Sequence, residues 1–257
     1  MTTPETSAPE SPTIRLRRSD ERGFEDMGWT DNWMTFSFAD YHDPDWVHFG
    51  PLRVMVENHI QPHEGFSAHP HRDAEILTYV SSGTLTHGDD QGHAAGISAG
   101  AMQLISAGSE GMVHSEENHH DVVEHNYQMW LIPDRAGTDF AYHERGFSPD
   151  ERQGQFRCYV APYTSETAGP DGPMPVNTAA YVYAGRLAAG DRVEHALAGD
   201  REAWVQEVAG EVEGGGVTLQ RGAGDGRGDT DALHFAFGAE TEALLFDLGM
   251  DVPLLWT

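Results

Sequence analysis

From Ile14 onward, apolar residues occur in short runs or alternate with polar ones, and Gly, Pro, Asp or Asn breaks the pattern about every ten residues. The clearest runs are Leu52 to Val56, Glu75 to Val80, Met102 to Ile105, Tyr127 to Ile132, Tyr181 to Ala184, Trp204 to Val208, Leu233 to Phe237 and Ala243 to Leu248. Short runs with a period of two and turn residues at both ends predict β-strands. No stretch sustains the longer period of an amphipathic helix over many turns. An all-β protein of sandwich or barrel type is the expected class.

The 257 residues reach the size at which a single core gives way to two domains. Loop chemistry marks a junction between Phe147 and Pro175, where Ser148-Pro149-Asp150 and Gly169-Pro170-Asp171-Gly172-Pro173 cluster. Strands resume near Ala179 with a similar rhythm, so one architecture used twice is expected, with domains at 13–147 and 148–257. The polar segment 1–12 has no periodicity and reads as a disordered tail. Glu213-Gly214-Gly215-Gly216 and the stretch Arg221 to Asp231 read as flexible hairpin tips. In the second of these, Arg227-Gly228-Asp229 is taken as a chance match to an adhesion motif.

Charge changes the picture of where such a protein works. Against 42 Asp and Glu there are 15 basic residues, every one of them Arg, and the net charge is −27. That is several times the magnitude of about 2 to 8 that suits a small soluble domain, so the folded chain repels itself at low ionic strength. We read this as adaptation to a salt-rich cytoplasm. On lowering KCl from about 2 M to about 0.05 M, circular dichroism is expected to report loss of structure as screening weakens; an unchanged melting temperature across that range would rule the reading out. Direct binding to nucleic acid or to an anionic membrane is disfavoured, because either needs a basic patch.

No run approaches the length of an apolar membrane span, and Met1 to Pro12 shows neither a basic start nor an apolar stretch, so a cytoplasmic protein without export signal is expected. The single cysteine, Cys158, has no partner for an internal disulfide and reads as a small buried hydrophobe.

Two clusters among the 15 histidines carry chemistry. One is His69-Pro70-His71-Arg72-Asp73-Ala74-Glu75; the other is His114-Ser115-Glu116-Glu117-Asn118. Side chains at i and i+2 of a strand share a face, so His69 with His71, and His114 with Glu116, each form a two-pronged clamp. Facing one another, the clamps offer three imidazoles and a carboxylate, a set suited to iron, manganese, nickel, copper or zinc, with positions left open for substrate and oxygen. Spacing alone leaves Glu75 as an alternative carboxylate. His119, His120 and His125 lie near the second clamp without a matching partner and read as surface or supporting residues. His195 and His234 stand alone and make no second site. Arg72 either orients the site or pairs with a nearby acid.

The order HxH, Glu75, Gly83, then Gly100, Gly108, His114 and Asn118 resembles the two motifs of the cupin superfamily. Within it, WMTFSFADYHDP (Trp33 to Pro44), HPHRDAEILTYVSSG (His69 to Gly83), HSEEN (His114 to Asn118) and QMWLIP (Gln128 to Pro133) resemble the pirin family. Ser106 departs from the Pro of the general cupin motif, and Glu110 adds an acid to the following turn.

The resemblance implies two jelly-roll type cupin β-barrels in tandem, with one divalent metal in the N-terminal barrel and none in the C-terminal one. It implies the ligands His69, His71, His114 and Glu116, and leaves Glu75 a supporting role. The implied metal is Fe(II) first, with Mn, Ni, Co, Cu or Zn compatible. Bacterial pirin-like proteins are similar to quercetin 2,3-dioxygenases, which implies a small-molecule, flavonol-like or otherwise enolisable aromatic substrate together with dioxygen, and Glu116 as general base. The alternative it implies is a non-enzymatic metal-binding regulator acting through a protein partner.

Overall fold

The computed structural model describes residues 13–228, 230–251 and 255; the tail expected at 1–12 lies outside them. Strands dominate. A seven-stranded sheet runs in the order Ala141–Gly146, Ala101–Ser106, Glu75–Ser82, Glu124–Leu131, Leu52–Ile60, Thr30–Met34 and Gly23–Asp26. Its companion has four strands, Gly65–His71, Met112–Glu117, Thr84–Asp89 and Ala94–Ser98. The second half repeats this plan. Seven strands, Thr13–Arg17, which crosses over from the N-terminal end of the chain, then Gly224–Gly228, Arg201–Ala209, Thr241–Gly249, Ala180–Leu187, Gln155–Pro162 and Met174–Val176, lie beside four more, Arg192–Ala196, Ala232–Phe237, Glu211–Gly214 and Val217–Gln220. The all-β, jelly-roll expectation is met, although the hydrogen-bonded ladders of each half stay as two sheets and do not close into a ring.

Alternation along the strands explains the layering. In Glu75–Ser82, Leu77 and Tyr79 point toward the other half, while Ile76 and Val80 point toward the small sheet of their own half. The two large sheets therefore pack face to face, and one core contains Phe36, Leu52, Leu77 and Met129 from the first half with Val182, Trp204, Leu244 and Phe246 from the second. Polar contacts cross the same face: Glu242 accepts from Tyr79 and, at 2.8 Å, from Arg152.

Two loop expectations are corrected. Gln155–Pro162 lies within the stretch read as a junction, yet it pairs with Ala180–Leu187 as an inner strand of the second large sheet. Arg221 to Asp231 is not a flexible tip, because Gly224–Gly228 is a fully buried strand between Thr13–Arg17 and Arg201–Ala209. Its glycines make room for their neighbours: a Cβ at Gly226 would sit 2.3 Å from the Phe49 ring, and one at Gly224 would sit 2.4 Å from the Trp204 ring. Arg227 is buried against Asp225 at 2.7 Å, so the chance-match reading of Arg227-Gly228 agrees with its position. The other is a hairpin turn, with Gly215 and Gly216 both at positive φ between Glu211–Gly214 and Val217–Gln220.

Burial sets one strong pH dependence in the second half. Both carboxyl oxygens of Glu207 are buried without a hydrogen bond. Burial, and then the charges of Glu242 and Glu211, push its pKa from 4.5 up to about 9. The stability associated with this group is fully present below its unfolded value and is lost as pH rises toward and through the folded one. Glu207→Gln is expected to raise the melting temperature by several degrees near pH 8 and to leave it almost unchanged near pH 4, as paired thermal melts will report.

Candidate metal centre

The first small sheet holds both clamps. Gly65–His71 and Met112–Glu117 are antiparallel neighbours, with His69 opposite His114 and Met112 opposite His71. A β-bulge between His114 and Glu116 re-aims the end of the second strand. One ring nitrogen from each of His69, His71 and His114 falls within 4.8 Å of the others. His114 Nε2 lies 3.0 Å from His69 Nε2 and 3.9 Å from Glu116 Oε2. The three imidazoles thus converge, with the Glu116 carboxylate beside His114.

Supporting bonds fix these side chains. His69 Nδ1 donates to the Ser67 carbonyl at 2.8 Å, which leaves the Nε2 lone pair free to point inward. Glu116 accepts from Thr78 Oγ1 at 3.1 Å and from Gln128 Nε2, and Gln128 is itself oriented by Trp130 Nε1 at 3.2 Å. The fourth motif residue, Asn118, is structural: its amide donates to the carbonyls of Ile60, Gln61 and Val122 and ties down the end of the strand.

Electrostatics suit a cation. Burial, then the imidazoles of His114 and His69, push His71 down to about 4. Burial, then His69 and His87, push His114 down to about 3. Both rings are therefore neutral near pH 7, the state a metal ligand requires. His71 Nε2 is buried and without a partner. An unpaired ring nitrogen beside two converging imidazoles and an anchored carboxyl group fits a divalent metal, and no other described group satisfies it.

A cavity of about 660 Å³ opens onto this point. Trp29, Phe38, Phe66 and Trp130 supply aromatic wall, Met27 and Met34 thioether, and Asn32 and Asn58 polar groups, while His69, His71 and Glu116 form part of its lining. Mostly apolar walls with a few convergent polar groups are the usual make-up of a small-molecule site. A cleft of about 750 Å³ on the second half, beside Arg192, Glu194 and His234, brings together no such set.

The other candidates sort out clearly. Glu75 faces away from the clamps into the contact between halves, where it accepts from Ser106 Oγ at 2.7 Å and Asn177 Nδ2 at 2.9 Å. Burial raises it to about 7, against these hydrogen bonds. Arg72 pairs with Asp73. His119 is exposed against Glu117. Cys158 is half-buried, its thiol donates to the Val160 carbonyl, and burial pushes that thiol up to about 11. His195 contacts Asp247 at 3.0 Å. His125 belongs to a cluster that sequence reading missed, with His59 and Glu57. Glu57-x-His59 was its visible signal, another i, i+2 pair. Arg22 at 2.8 Å and Arg221 at 3.7 Å already neutralise Glu57, so this cluster is an ion-paired junction between the halves.

Two tandem jelly rolls with an imidazole and carboxylate cluster in the first define a two-cupin protein. The chain belongs to the pirin family. Residues 15–131 match the family model described as Pirin, and residues 164–248 match that of the quercetinase C-terminal cupin domain. Quercetin 2,3-dioxygenase of Escherichia coli (strain K12) is 37% identical over 236 residues, covering 91% of this chain and 98% of that one. The putative quercetin 2,3-dioxygenase PA1210 of Pseudomonas aeruginosa is 34% identical over 235 residues, covering 91% and 99%. The crystal structure of the bacterial pirin YhhW from Escherichia coli in complex with nickel(II) superposes with a TM-score of 0.84 at 36% identity, covering 92% of this chain and 99% of that one.

Proposed function

We propose that this chain is a metal-dependent dioxygenase that acts on a flavonol-like or other enolisable aromatic substrate, as the names of its relatives suggest. The observation that carries the reading is the cluster of His69, His71 and His114, with Glu116 3.9 Å from His114, beside an aromatic-lined cavity that His69, His71 and Glu116 help to line. These four residues would hold one divalent metal. Iron(II) is our first assignment, while nickel(II) is the ion in the related structure. Among the described residues the second half has no comparable cluster, so residues 13–147 would carry the metal and 148–257 would not. We place the protein in the cytoplasm; no described helix is long and apolar enough to cross a membrane.

Bound there, the metal supplies Lewis acidity and a path for electrons between an electron-rich substrate and dioxygen. The chain does the rest. Trp29, Phe66 and Trp130 hold a planar aromatic ring against the cluster and exclude water. Thr78 and Gln128 keep the Glu116 carboxylate turned toward the cavity, where it accepts the proton of a substrate hydroxyl and leaves an enolate facing oxygen. Both oxygen atoms then enter the product across a carbon–carbon bond that breaks. A purely regulatory metal would need no substrate-sized cavity at its ligands. Oxygen uptake by the metal-loaded protein with a flavonol, in high salt, tests the reading.

A further inference from the structure

Beside His114, on the strand that flanks Met112–Glu117 opposite Gly65–His71, the structure places a second row of polar side chains. Thr84–Asp89 pairs with Met112–Glu117 so that Asp89 lies opposite His114 and His87 opposite Glu116. The side chains of His87 and Asp89 are both fully buried, and His87 Nε2 lies 3.1 Å from Asp89 Oδ2. Asp89 is fixed in turn by the backbone amides of Gln91 at 3.0 Å and His93 at 2.8 Å, and by the His93 ring. Tyr142 closes the row, stacked on His93 at 4.5 Å and tilted against His87 at 5.0 Å.

Hydrogen-bond roles follow from chemistry. A carboxylate only accepts, so His87 Nε2 carries the proton that it donates to Asp89, and His87 Nδ1 is left as an acceptor. That Nδ1 is buried and has no partner. His114 Nδ1 is likewise buried and unpartnered, and the two ring centroids are 5.4 Å apart. With Nε2 turned toward His69 and the metal position, His114 must carry its proton on Nδ1 and lacks an acceptor for it. His69 has already solved this problem with the Ser67 carbonyl.

We infer that His87, held by Asp89, is a positioning residue for the metal centre: the two Nδ1 atoms are not bonded to each other here, and a small rotation of the rings, 5.4 Å apart, lets His87 Nδ1 accept the Nδ1 proton of His114 when metal binds, fixing the tautomer and ring plane in which His114 holds it. This rests on the metal reading proposed above. Partners of this kind orient ligand imidazoles and raise their basicity, and losing one typically weakens metal affinity roughly 10- to 100-fold.

The test is a titration of the metal-free full chain with cobalt(II) against a competing chelator, with the visible d–d spectrum recorded at saturation and the metal-free melting temperature measured beside it. His87→Phe keeps a planar ring but no acceptor and is expected to weaken cobalt binding roughly 10- to 100-fold and to change the d–d bands. Asp89→Asn is expected to follow it, because an amide that donates to His87 Nε2 moves the His87 proton to Nδ1 and sets donor against donor. His87→Gln, which retains an acceptor, is expected to restore much of the affinity. Wild-type affinity and an unchanged spectrum in His87→Phe would overturn the inference, as would His87→Gln binding no better than His87→Phe. If the wild-type chain takes up no cobalt, the metal centre itself falls and this inference with it.

Discussion

His114→Ala is expected to abolish tight metal binding and, with it, the stabilisation that metal confers. The ring sits between the two clamps, 3.0 Å from His69 Nε2 of the first and 3.9 Å from Glu116 of its own, so its loss removes the imidazole that joins them. A ligand that binds only the folded state at about 100 times its dissociation constant contributes about 2.7 kcal/mol. For a chain of this size that corresponds to a melting shift of roughly 5 to 10 °C. The wild-type protein should show this shift between chelated and metal-saturated samples, and His114→Ala should show none. Equal shifts in both, with one metal per chain in each, would mean that the ion binds elsewhere. The Glu57, His59 and His125 cluster would then be the first place to look.

Glu116→Ala separates binding from chemistry. Three imidazoles remain, a set that still holds a divalent ion, so metal should persist with lower affinity. Turnover should nevertheless fall by roughly 10²- to 10⁴-fold, the usual contribution of a positioned general base. Glu75→Gln is the matched control. Glu75 lies on the opposite face of its strand, bonded to Ser106 and Asn177, and the amide preserves most of that network. Metal content by elemental analysis and turnover by oxygen electrode would be read on all three proteins. Loss of metal in Glu75→Gln, with metal and turnover both kept in Glu116→Ala, would transfer the ligand role to Glu75.

The clamps were legible because they depend only on the period of two within single strands. Once His69, His71, His114 and Glu116 lie on strands, their shared faces follow, and the pairing of His69 with His114 completes the cluster. The same periodicity settles Glu75 as soon as Leu77 and Tyr79 are known to face the other half. Features that depend on distant neighbours were hidden. Gly224–Gly228 has too little side chain to read as a strand, since the bulk that fills its surroundings belongs to Phe49 and Trp204. Gln155–Pro162 is bracketed by turn chemistry and ends in Pro162, which obscured its alternation. The cavity walls come from Trp29, Phe38, Phe66 and Trp130 on separate segments, so no local pattern announced them. The supporting pair His87 and Asp89 is another i, i+2 pair, but only the pairing of Thr84–Asp89 with Met112–Glu117 places it beside His114.

Oxygen consumption tests the proposed activity most directly: iron(II)-loaded protein in high salt, confirmed to hold one metal per chain, is mixed with quercetin or another flavonol under ¹⁸O-labelled dioxygen. Uptake of one dioxygen per substrate is expected, with both labelled atoms in the product and no uptake by His114→Ala. Full metal loading without oxygen uptake on any flavonol or other enolisable aromatic compound would contradict the dioxygenase reading and leave the metal a regulatory role.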